Sequence, residues 1–250
     1  MHLYGTRGVL EALARTGDQD IRRIAILMCI INVLIPIGLL IYASVTGIRF
    51  WWAFWGEDNL ITWFSSVQLV LIGLVAYLNY SAASLWRGLG GEGNRGYWIW
   101  LVFTAGFLFL ALDERFEIHE ALREGIIQSH GEVSILPFAR PGDIGMYLYL
   151  AVGLVLMVFL VSELRVARSG LLLFVTAVAI AASIVVVDSM PKDITSQWPL
   201  QFRRFLTSVF EEGGEIWAQF FFLLSFLSVL RERLSWIGAL PDGQDHTAHR

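Results

Sequence analysis

The chain has 250 residues, 56% of them hydrophobic and 16% charged, with 18 basic against 22 acidic side chains and a formal net charge of −4. A soluble domain carries about a quarter charged residues, so this composition argues against an ordinary soluble fold and points to an integral membrane protein. No basic run offers a footprint for nucleic acid, the single cysteine, Cys29, cannot form an internal disulfide, and the single lysine, Lys192, falls in an expected loop, which argues against a retinal-type Schiff base.

Residues 1–23 contain "VLEALARTGDQDIRR", a polar stretch ahead of the first apolar run. Its position argues against a signal peptide and predicts an amphipathic helix at the cytoplasmic membrane surface. Six apolar runs follow, at 24–46, 60–82, 97–117, 143–162, 170–188 and 206–230. Each is near the ~20 residues that cross ~30 Å of hydrocarbon, and none alternates as a barrel strand does. The expected fold is therefore all-α, an integral membrane bundle of six transmembrane helices occupying 24–232. Between the first two runs, "RFWWAFWGEDN" has the tryptophans of an interfacial segment. The longest connection is "LREGIIQSHGEVSILPFARPG", residues 122–142, and the tail 233–250 is expected to be partly disordered.

Six spans put both termini on one side. That side would carry Arg7, Arg15, Arg22, Arg23, Arg87, Arg95, Arg165, Arg168, Arg231, Arg233 and Arg250. The other would carry Arg49, Arg115, Arg123, Arg140, Lys192, Arg203 and Arg204. The excess favours both termini in the cytoplasm of a bacterial inner-membrane protein.

Against this frame the placement of acids is uneven. The third run ends in "ALDERFEIHE", of which six in ten residues are ionisable, and the sixth begins with "FEEGGEIW". Counting ~20 residues along each span places Asp113, Glu114, Glu120, Glu211, Glu212 and Glu215 near the outer boundary, where Asp188 also ends the fifth run. On an ideal helix Asp113, Glu117, Glu120 and Glu124 share one face. Glu211 and Glu215 share another, with Glu212 about 60° from Glu215. Gly213 and Gly214 leave room there for a second helix or a ligand.

Carboxylates one turn apart on two antiparallel helices suit a divalent cation, and an imidazole completes many such sites. The candidate ligands are Asp113, Glu114, His119, Glu120, Asp188, Glu211, Glu212 and Glu215, for iron, manganese or zinc. His119 lacks the Glu-x-x-His spacing of helix-bundle di-iron sites and sits ~100° from the Glu120 face, so a ligand role for it requires a break in the helix. His130 in the outer loop is a second imidazole candidate. A carboxylate within a span is costly and functional by default, and Glu215 is the deepest of the set.

Missing motifs exclude other chemistry. There is no mid-span histidine pair for a bis-histidine haem, no phosphate-binding loop for a nucleotide, no nucleophile elbow and no His-Glu-x-x-His helix.

The stretches "FLALDERFEIHE" and "VFEEGGEIW" together resemble a pattern of uncharacterised bacterial polytopic membrane proteins, with a Leu-Asp-Glu…His-Glu end to one span and a Glu-Glu-x-x-Glu start to a later one. Asp113, Glu114, His119, Glu120, Glu211, Glu212 and Glu215 match it, and the resemblance implies no activity.

Three functions follow. The first is a metal-dependent enzyme acting on a lipid-like substrate drawn from the bilayer, with the metal as Lewis acid or oxygen activator. The second is a cation or proton-coupled transporter using the same acids. Against it stand the lack of an evident broken helix, of an internal repeat and of acids in the cytoplasmic half. The third is an accessory subunit in which Arg115, Arg203 and Arg204 pair with the acids as an ion lattice. Membrane lipid is the expected partner, with a homo-oligomer or larger membrane complex as the assembly.

Overall fold

The computed structural model describes residues 3–48, 60–91, 95–118, 121–122, 124–125, 144–188 and 195–238. They are helices and turns, with no strand among them. The long helices are α1 (Leu3–Thr46), α2 (Leu60–Gly88), α3 (Ile99–Phe116), α4 (Ile144–Leu164), α5 (Arg168–Asp188) and α6 (Glu211–Gly238). A 3-10 turn, Arg95–Trp98, leads into α3. A short helix, Leu200–Arg204, and a π-helical segment, Phe205–Phe210, lead into α6.

Five segments among the described residues are long and apolar enough to cross a membrane: Ile21–Thr46, Leu60–Gly88, Gly96–Phe116, Arg168–Val187 and Glu211–Gly238. The run expected at 143–162 lies on α4, of which Ala151–Leu164 counts as a shorter apolar helix. Two boundaries differ from the expectation. The polar stretch before the first span is not set off by a turn, since α1 is one continuous helix of 44 residues. At the other end α6 continues to Gly238, so residues 233–238, expected in the tail, extend the bundle. The "RFWWAFWGEDN" segment, most of the 122–142 loop including His130, and the tail after Gly238 lie outside the described residues.

Named contacts set the directions of the helices. α2 and α6 run parallel, because Gln219 bonds Ser65 and Arg233 bonds Asn79, both pairs 154 positions apart. α1 is antiparallel to α2, with Asn32 on Gln68 and Ala43 in one cluster with Ile61 and Ile216. α3 is antiparallel to α2, where Gly73 closes on Leu108 and Thr104. α4 returns along α3, with Tyr149 against Phe109 and Glu163 against Trp100. α5 is antiparallel to α6, with Gly170 against Ser225 and Ile184 against Gly214. Asp113, Asp188 and Glu211 therefore belong to one end of the bundle, and Trp100, Glu163 and Arg233 to the other.

An aromatic layer fills the middle. Phe226, fully buried, meets Trp100, Phe103 and Phe107 edge to face at centroid distances of 4.9, 6.1 and 5.8 Å. Phe174 of α5 packs on Phe222 and Phe226. These rings lie between α3 and α6, so the two helices that carry the acidic motifs face one another across side chains. Outside, Leu27 and Ile41 of α1, Val155 and Val158 of α4 and Leu172 and Val175 of α5 are exposed, as a lipid-facing surface requires.

Candidate functional site at the acidic end

Both acidic motifs coincide with departures from regular helix. α3 stops at Phe116, and Glu117 is left-handed at φ 52° and ψ 37°. Few non-glycine residues adopt that conformation, because Cβ then crowds the backbone carbonyl. A new turn starts at once, with the Ala121 N–H donating to the Glu117 carbonyl at 2.9 Å. The single face expected for Asp113, Glu117, Glu120 and Glu124 is thus broken after its first member. Asp113 is buried at 6% exposure and acts electrostatically on Tyr149 of α4. Glu114 is half-buried, while Glu117 and Glu124 are exposed.

On α6 the break comes first. The Glu211 N–H donates to the Leu206 carbonyl five residues back, the π geometry that often marks functional positions. Glu211, Glu212 and Glu215 follow, all half-buried. Gly214 does admit a second helix: a Cβ there would stand 2.9 Å from Ile184 Cδ1 of α5. Gly213 has open space around it.

The acids are not isolated charges. Asp113, Glu114, Glu211, Glu212 and Glu215, and equally Arg115, Arg203 and Arg204, each have a bonding or electrostatic partner. Among the described residues no three histidine, cysteine, aspartate or glutamate side chains form a group that could hold a metal. His119, Glu120 and the Asp188 side chain lie outside the description, although the Asp188 backbone closes α5.

The buried polar groups elsewhere in the bundle were not singled out from sequence. At the end away from the acids, Arg233 is ion-paired to Glu163, both nearly inaccessible. The same Glu163 carboxylate accepts the Trp100 indole N–H at 3.0 Å. The Arg233 guanidinium stacks over the Trp100 ring at 5.2 Å and donates to the Asn79 carbonyl at 2.9 Å. Asn79 in turn donates to the carbonyls of Val75 and Phe226. Nearer the acids, Gln219 donates to Ser65 at 2.6 Å and Gln68 to Asn32 at 2.9 Å. Glu163 is thus an acid in the half of the bundle away from the acidic motifs, where none was expected.

Helical geometry connects the two ends. Glu212, Gln219, Phe226 and Arg233 recur every seven residues on α6, and each step returns to nearly the same face with a drift of ~20°, ~60° over the three steps. One stripe thus runs from the acidic end, through an amide, past the aromatic layer, to the Glu163 pair. The signal was present in the sequence as Asn and Gln within apolar runs, groups that need partners in hydrocarbon.

A family model described as a domain of unknown function, DUF8692, matches residues 23–230. The chain belongs to that family. The match takes in every candidate acid and stops three residues short of Arg233. No curated protein and no solved structure matches the chain.

Proposed function

We propose that the protein is a cation carrier of the bacterial inner membrane, proton-coupled or not, with six spans, both termini in the cytoplasm and the acidic end facing outward. The observation that carries this reading is the α6 stripe, in which Glu212 and Gln219 on one side of Phe226 and Arg233 on the other share a face, and Gln219 and Arg233 are each bonded to α2. An enzyme site at the membrane boundary has no need of polar groups across the rest of the bundle. Helix breaks at Glu117 and at Phe205–Phe210 add the interrupted backbone that carriers use at their ion sites. In this conformation Phe226 and the rings around it close the stripe at mid-depth, as one state of an alternating carrier requires.

A second reading, a divalent-metal enzyme acting on a lipid-like substrate, is favoured by one specific feature. The left-handed Glu117 interrupts the helix two residues before His119, so the ideal phase that set His119 apart from the acids no longer applies.

Purified protein in proteoliposomes, loaded with a pH-sensitive dye and offered Mn²⁺, Fe²⁺, Zn²⁺ or Na⁺, distinguishes them. The carrier reading expects uptake or coupled proton movement that is lost when Glu212 and Glu215 are replaced by Gln. No transport, with stoichiometric metal retained by the purified wild type and lost from that variant, establishes the enzyme reading instead. No transport and no metal leaves an accessory subunit built around an ion lattice.

A further inference from the structure

α1, α2 and α6 bring four polar side chains together in the interior: Asn32, Ser65 and Gln68 have no solvent exposure and Gln219 has 7%. Each amide nitrogen donates once. Asn32 Nδ2 donates to the Met28 carbonyl at 3.0 Å, Gln68 Nε2 to Asn32 Oδ1 and Gln219 Nε2 to Ser65 Oγ. The atoms left with no partner at all are acceptors, because Gln68 Oε1 and Gln219 Oε1 are buried and take no hydrogen bond from the protein. Buried polar atoms of this kind are rare enough to need a cause.

A third candidate oxygen belongs to Asn32, which Gln68 bonds. Pro36 lies inside α1 and has no N–H, so the main-chain carbonyl of Asn32 loses the donor that an ordinary residue four positions on would supply. That carbonyl is directed along α1 toward the acidic end, as is the step on α2 from Gln68 to Ser65. The parallel register sets the depth. Gln219 lies ~12 Å along α6 from Glu211, and Gln68, level with Phe222, ~17 Å, about half of the ~30 Å hydrocarbon thickness.

We infer that these oxygens form a binding site for a monovalent metal cation within the membrane, made by Gln68 Oε1, Gln219 Oε1 and the Asn32 carbonyl with Ser65 Oγ beside them. The two side-chain atoms without any partner are both acceptors, so the guest presents positive charge to them. They are neutral, whereas a divalent ion is held through carboxylates, and carbonyl oxygens in number replace the hydration shell of a monovalent one. Glu215 stands one turn from Gln219 on the acidic side and links the site to that end. The inference deepens the carrier reading and rests on it for its purpose, though not for its geometry.

The test is thermal unfolding of the full chain in detergent, titrated with LiCl, NaCl or KCl against choline chloride at constant ionic strength. One alkali cation is expected to raise the melting temperature, by about 2–6 °C at roughly ten times its dissociation constant and logarithmically with concentration beyond it. Gln68→Met and Gln219→Met should each raise the half-saturating concentration at least tenfold, while Gln219→Glu, which keeps the shape and adds charge, should lower it. Absence of any alkali-specific shift in the wild type overturns the proposal and leaves water as the guest, as does a shift unchanged in all three variants. Vesicle uptake without an alkali shift removes this site and leaves the carrier reading standing. A shift without uptake does the reverse.

Discussion

Glu163 and Arg233, 70 positions apart in sequence, meet as a buried ion pair at the end of the bundle away from the acidic motifs. The pair ties the last turn of α4 to α6, while Val155 and Val158, earlier on α4, face outward. Burying two charges is favourable only when their remaining donors and acceptors are met, and here the Trp100 indole N–H donates to the carboxylate and the Asn79 carbonyl accepts from the guanidinium.

Removing one partner strands the other. Arg233→Met should destabilise the protein by about 3–5 kcal/mol, read as unfolding in detergent by heat or denaturant. Glu163→Gln should cost less, since a glutamine oxygen still accepts from Trp100 and Arg233. The double variant Glu163→Leu/Arg233→Met should recover part of the loss. A double variant that loses the sum of the two singles would show that the pair is not the coupled unit described.

Asn79 makes a sharper contrast. Its stronger bond from Arg233 is received by its main-chain carbonyl, at 2.9 Å, and its side-chain oxygen is at 3.5 Å. Asn79→Leu therefore keeps the better contact and gives up the side-chain bonds to Val75 and Phe226. Side-chain hydrogen bonds between membrane helices average about 0.6 kcal/mol, so the variant should melt within a few degrees of wild type. A loss as large as that of Arg233→Met would place the weight on the asparagine side chain.

The two glycines of "EEGGEI" should behave in opposite ways. Gly214→Val drives a branched side chain onto Ile184, already within 2.9 Å of a Cβ at that position, and overpacking of this kind costs about 1–3 kcal/mol. Gly213→Ala meets nothing within 4 Å and gains up to about 1 kcal/mol of helix propensity. Combining Gly214→Val with Ile184→Ala should restore much of the melting temperature. If Gly213→Ala abolishes uptake while raising stability, the open space at Gly213 is where the cation approaches.

The legibility of the chain follows from which signals are local. Long apolar runs announce their own helices, and acids at the end of one run and the start of another fall at one boundary by counting alone. The Glu163–Arg233 pair is not local in this sense. Each residue sits near other charges, Arg165 in one case and Arg231 and Glu232 in the other, so each reads as the wet flank of a span. Only the packing of α3, α4 and α6 reveals that they are buried together. Glu117 was opaque for a different reason: glycine or asparagine would have advertised a left-handed helix end, and glutamate does not.

Glu117 is accordingly a position of stored strain. Glu117→Gly removes the Cβ crowding and should hold or raise stability, by up to about 1–2 kcal/mol. Glu117→Val places a β-branched side chain at φ 52° and should lower it by a similar amount or more. If valine is accommodated without loss, the left-handed conformation at Glu117 is not enforced.

Pro36 offers a test of the intramembrane oxygens that touches no side chain among them. Pro36→Ala supplies an N–H to the Asn32 carbonyl and removes an interior helix proline, whose cost is about 3 kcal/mol in an ordinary helix. Basal stability in choline chloride should therefore rise. The same hydrogen bond competes for an oxygen assigned to the cation, so the half-saturating alkali concentration should rise several-fold in the same protein. Stability and cation response moving in opposite directions is the expected signature. An unchanged half-saturation, with the stability gain present, would remove the Asn32 carbonyl from the site and leave the two glutamine oxygens to hold the cation without it.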